Sequence, residues 1–83
     1  MTIQQFKNLS KPTHTILPHY KNLETTEDKK VYSNVINDVV FTHTLIKLFD
    51  KTGKRRAYRK QFQVCDKGVS KRKFVELLEL KSE

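Results

Sequence analysis

The chain has few of the residues from which metal, disulfide or membrane sites are built. A single cysteine, Cys65, excludes an internal disulfide, and tryptophan is absent. Two glycines, Gly53 and Gly68, cannot form a glycine-rich phosphate loop. Acidic residues are scattered, so a two-metal carboxylate site has no support. No apolar run is long enough to span a bilayer, and none at the N-terminus has signal-peptide length. A reducing cytoplasm is the expected compartment. Internal repeats and low-complexity tracts are missing, and so is arginine throughout the first fifty residues.

What is present is positive charge, unevenly spread. The 83 residues suffice for one small domain with a thin core, and 36% apolar with 31% charged residues is a globular composition on the polar side. The net charge is +8. Residues 1–50 hold six lysines against five acids, whereas residues 51–83 hold eleven Lys or Arg against four. Arg55, Arg56, Arg59 and Arg72 all lie in that second part. Such a one-sided basic field suits nucleic acid, an anionic membrane or an acidic protein. The basic final helix carries Glu76 and Glu79, which an anionic surface repels, so a membrane partner is not expected.

The expected fold class is α+β: a short N-terminal helix, a three-stranded antiparallel sheet and a C-terminal helix packed on one sheet face. Thr2 can cap the first helix, with Gln5 completing a capping box, and Ile3, Phe6 and Leu9 fall on one side. Pro12 and Pro18 bracket "PTHTILP", and "NLETTEDKK" is polar, so residues 10–29 are expected to be irregular or partly mobile. From Val31 to Leu48, β-branched residues favour strands, with Asn37-Asp38 as a turn. A helix is the competing reading there, because Tyr32, Val35, Ile36, Val39 and His43 recur at helical spacing. "DKTG" reads as a type I turn followed by a left-handed Gly53, or else as a helix C-cap. Ser70 is an N-cap for a last helix over about 71–81, with Phe74, Leu77 and Leu78 on one face.

The hairpin "DKTGKRRAYRKQF", residues 50–62, has Lys or Arg at six of thirteen positions. Strict alternation puts Tyr58, Phe62 and Val64 on one face of the outgoing strand, and Arg55, Arg59, Gln61 and Gln63 on the other. Arg56 and Lys60 then fall on the apolar side, where they must snorkel or a bulge must shift the register. Arg and Gln are suited to guanine and adenine edges, and a two-stranded ribbon fits the major groove. Tyr58 or Phe41, if exposed, can stack on an unpaired base. A polar outer face is also what any half-buried sheet presents. Lys71, Arg72 and Lys73 open the last helix, against the dipole, as a phosphate-docking end would.

Residues 45–80, "LIKLFDKTGKRRAYRKQFQVCDKGVSKRKFVELLEL", resemble the arm-type DNA-binding domains of phage and transposon integrases. That resemblance implies a three-stranded sheet, packed on one helix, that enters the major groove. The family's Gly-Phe pair before the helix is missing here. "GVS" at 68–70 followed by Phe74 and Leu77 is similar to the turn and second helix of helix-turn-helix repressors. It implies a recognition helix led by Lys71, Arg72 and Lys73.

Catalytic and metal readings have less behind them. His14, His19, His43 and Cys65 lack the close pairing of a zinc site, and read as ordinary histidines and a buried thiol. A metal-independent ribonuclease would need groups such as His43, Tyr58 and Arg59 within reach of one phosphate. The expectation is therefore a non-enzymatic nucleic-acid-binding module without cofactors, with DNA ahead of RNA. Arg55, Arg59 and Gln61 are candidates for base edges; Lys51, Lys54, Arg56, Lys71, Arg72 and Lys73 complete the basic contact set. About five neutralised phosphates give a salt slope of about −4.5. The alternative is an inhibitor or adaptor of the kind mobile elements encode, docking an acidic patch on a protein. An exposed edge at Val31–Ile36 offers pairing of two copies.

Overall fold

Thr2 and Ser70 start helices because their side chains satisfy backbone donors that a first turn leaves open. Thr2 Oγ1 accepts from the Gln5 amide, and Gln5 Oε1 accepts from the Thr2 amide, which completes the capping box. Ser70 Oγ accepts from the Lys73 amide. In the computed structural model, which describes residues 1–19 and 22–82, the order is α1 (Ile3–Leu9), β1 (Thr13–His19), β2 (Asn22–Ile36), β3 (Val39–Phe49), β4 (Arg55–Val64), β5 (Lys67–Val69) and α2 (Lys71–Lys81). The class is α+β as expected, with a helix at each end. The sheet, however, has five strands in the order β1-β2-β3-β4-β5, not three.

One additional strand, β1, and the first half of β2 come from residues 10–29, the stretch expected to be irregular. Thr13 to Pro18 pairs antiparallel with Thr26 to Val31. No apolar alternation announces these strands, because the helices do not cover this end of the sheet. Thr13 to Ile16 are exposed whichever face they lie on, so polar side chains serve on either side while the backbone ladder supplies the pairing. Pro18 lies on the edge strand, where a missing ladder donor is tolerated. β5 is the other addition, three residues long.

Residues 31–49 are strands, and the helical alternative falls away. Asn37 and Asp38 take φ of 50° and 64°, the two-residue turn whose twist matches the flanking strands. Cys65 and Asp66, at φ 52° and 65°, make a second such turn between β4 and β5. Cys65 is exposed there, not a buried thiol. A strand and this turn precede Gly68, so the helix pair of a helix-turn-helix does not form. Between β3 and β4, the Gly53 amide donates to the Asp50 carbonyl and Gly53 has φ 85°, as the type I turn with a left-handed glycine requires. Asp50 braces this loop: its carboxylate accepts from the Thr52 side chain and from the Thr52 and Lys54 amides, and meets Arg56. These hydrogen bonds, led by the Thr52 side chain, hold its carboxyl below the usual carboxylate range.

Paired residues of an antiparallel ladder share a face, so the register sorts the side chains. Phe41, His43, Leu45 and Lys47 of β3 lie on one face with Tyr32, Lys30 and Asp28 of β2 and with Val64, Phe62, Lys60 and Tyr58 of β4. Both helices pack on one end of this face. Phe6 of α1 and Phe74 and Leu78 of α2 join Phe41 and Phe62 in the core. Phe74 is the hub, with ring centroids 5.6 Å from Phe6, 5.5 Å from Phe41 and 5.1 Å from Phe62. The molecule is elongated, 45 × 21 × 18 Å. The long hairpins carry the same face beyond the helices.

Candidate nucleic-acid interface

The arginines of the hairpin do not form one stripe. The register shifts between Leu48 and Phe49, which makes Arg56 the extra residue of a bulge and moves Arg55 to the face opposite the one alternation assigned to it. Arg55 pairs with Phe49, and its guanidinium lies 5.5 Å from the centre of the Tyr58 ring on the helix-bearing side. Arg59 pairs with Ile46 and Gln61 with Thr44, so these two face the open side. Arg56 turns back to Asp50, with Nε 3.1 Å from Oδ2. Arg72 meets Glu76 one helical turn away, and Lys73 is exposed on the same helix. Lys51 and Lys54 belong to the hairpin tip. Of the nine sequence-derived contact residues, the structure brings Arg55 and Lys71 to one surface, together with lysines the sequence reading left out.

That surface is the helix-bearing face where it runs out past α1. The ring of Tyr58 has Lys47 Nζ at 5.8 Å, Lys60 Nζ at 5.7 Å and Arg55 Cζ at 5.5 Å. Lys7 of α1 stands 5.5 Å from the centre of Tyr32. Two adjoining hollows, of about 280 and 260 Å³, share Lys7, Leu45 and Tyr58 in their walls. Lys60, Lys71 and His43 line the first; Lys30, Lys47, Tyr32 and Asp28 line the second. Asp28 is the carboxylate among these lining residues, and His14 Nε2 holds it from β1. Tyr58 is 41% exposed, while Phe41 is wholly buried, so only the former presents a ring to a ligand.

His43 senses the charge of this groove. It is 2% exposed, stacked on Phe62 at 4.4 Å, and its Nδ1–H donates to the Gln61 carbonyl. Its pKa is lowered, first by burial, and further by Lys7, Lys60 and Lys71 from three separate elements. The hydrogen bond to Gln61 works in the other direction. The imidazole is therefore held neutral beside converging lysines.

The open face differs in character. Val31, Thr42, Thr44, Ile46, Leu48 and Ala57 give it a largely uncharged middle, with Lys29 and Arg59 flanking Ile46. With Arg59 there and Tyr58 on the other side, the trio suited to phosphodiester cleavage is not assembled. His14 is paired with Asp28 and Cys65 lies in a turn, while the side chain of His19 lies outside the described residues. Among the described residues, no three of His, Cys, Asp and Glu gather as a metal site, and no helix is long and apolar enough to cross a membrane. Of the expected edge, Val31 pairs with Thr13, while residues 32–36 have β3 as their strand neighbour.

The signal for the missed lysines was present. Lys60 falls on the same side of its strand as Phe62, and Lys47 on the same side as Phe41 and His43. A cation in a core-facing register marks a strand that outruns its core. Fold and groove together define a small α+β protein with a basic, tyrosine-bearing hollow on its sheet. Compared with known proteins, the chain matches no family model, no curated protein and no solved structure.

Proposed function

We propose that this protein is a non-enzymatic nucleic-acid-binding module that holds its ligand in the basic groove beside α1. One observation carries the reading: Lys47, Arg55 and Lys60 surround the exposed ring of Tyr58. Like charges gathered around one ring repel each other, and an anion relieves that repulsion. An aromatic face among phosphate-binding cations is the pairing that nucleic acid uses and that a simple solvated surface does not need. A ribbon laid in the major groove has less to support it, because Arg55 and Arg59 face opposite ways.

The test is a titration against random duplex DNA, single-stranded DNA and RNA at low salt. Three proteins are compared: the wild type, Lys47→Glu with Lys60→Glu, and Lys29→Glu with Arg59→Glu. The wild type and the open-face variant should retain nucleic acid, and the groove variant should lose it. Absence of binding to all three polymers would turn the reading to an adaptor that meets an acidic protein patch. Loss in the open-face variant alone would move the site to the other side of the sheet.

A further inference from the structure

Resting on that nucleic-acid reading and deepening it, we infer that the ligand is an unpaired strand, with a base stacked on Tyr58. A paired base has both its flat faces covered by neighbours in the duplex. Only an unpaired base can offer one to a side chain. Tyr58 is exposed for such contact, yet it lies within the hollow bounded by Ile3, Gln4 and Lys7 of α1 rather than on a protruding edge. A duplex keeps its base faces stacked on their neighbours, whereas a single strand can lie along the hollow and turn one base onto the ring.

The cations are spaced for the backbone of such a strand. Lys30, Leu45 and Lys60 form one row across β2, β3 and β4, and Asp28, Lys47 and Tyr58 form the next. Adjacent strands are about 4.8 Å apart. Lys30 and Lys60 therefore stand at the two sides of a strip about 10 Å wide, with apolar Leu45 as its floor. Lys7 and Lys71 close its helix end. Phosphates meet the lysines, and a base meets Leu45 on the floor and Tyr58 on the β4 side. Tyr32 lines the same hollow, but its ring is stacked on His43 with Lys7 above it, which leaves Tyr58 as the ring offered to a base.

The absence of tryptophan makes the test direct, because tyrosine emission is not masked. Single-stranded DNA, single-stranded RNA and duplex DNA of equal length are titrated while that emission is followed. Single strands of either sugar should quench it and bind tighter than duplex. Tyr58→Ala should weaken single-strand binding about 5- to 150-fold while leaving duplex binding nearly unchanged. Tyr58→Phe should keep affinity and reduce the quench. Circular dichroism checks that both variants fold, as an exposed position outside the core predicts. If duplex binds as well as single strands, or Tyr58→Ala is neutral while Lys47→Glu with Lys60→Glu abolishes binding, the stacking inference is overturned and the nucleic-acid reading survives. If no polymer binds, both fall together.

Discussion

Neutralising two groove lysines has a consequence that follows quantitatively from the geometry. Six cations border the hollow or the Tyr58 ring: Lys7, Lys30, Lys47, Arg55, Lys60 and Lys71. Each phosphate contact on a single strand contributes about −0.7 to the slope of log affinity against log salt. Six contacts give about −4.2, a loss of about 300-fold between 50 and 200 mM salt. Replacing Lys47 and Lys60 by alanine leaves four contacts and a slope of about −2.8. If the two lines meet at about 1 M salt, the variant binds about 25-fold more weakly at 0.1 M. Both lysines lie against Tyr58 near the surface, where such cation–ring contacts contribute about 0.5–1 kcal/mol each, so the variant should stay folded. Fluorescence anisotropy of a labelled oligonucleotide across a salt series measures the slopes. An unchanged slope in the double variant would refute the reasoning. So would an equal loss of slope in Lys29→Ala with Arg59→Ala.

Further outcomes concern the scaffold that holds the groove. Phe74→Ala removes the ring in contact with three other phenylalanines and should cost about 3–5 kcal/mol in urea unfolding, much of the stability of so small a domain. Gly53→Ala meets no atom within 4 Å yet should cost about 1 kcal/mol, because its φ of 85° disfavours a side chain. Asp38→Gly should stabilise by about 0.5–1 kcal/mol in the same assay, since glycine takes φ 64° without strain. His43 resists protonation in the folded chain, so the unfolded chain binds the extra proton. Its contribution to stability is full above pH 6.5 and declines as pH falls below that value. Melting temperatures read from pH 8 to 5 should show that decline in the wild type and a flatter profile in His43→Asn.

Local chemistry was legible from the residues alone. Thr2, Ser70, Asn37-Asp38 and the loop from Asp50 to Gly53 each decide their own backbone through nearby hydrogen bonds and allowed dihedrals, and each is found where the sequence places it. The outer strands were not legible. β1 and the first half of β2 have no helix above them, so nothing demands the apolar alternation by which a strand is recognised.

The amino-acid sequence by itself determined the caps, the turns, the β-rich middle and the concentration of positive charge after residue 50. Which of those charges share a surface was decided by tertiary structure. A side-chain period of two means that one bulge at Arg56 reverses Arg55 relative to Arg59. Lys7 and Lys30, far from the basic hairpin along the chain, and Lys47 on its incoming strand join Lys60 only because β2, β3 and β4 pair in this register and α1 packs beside them.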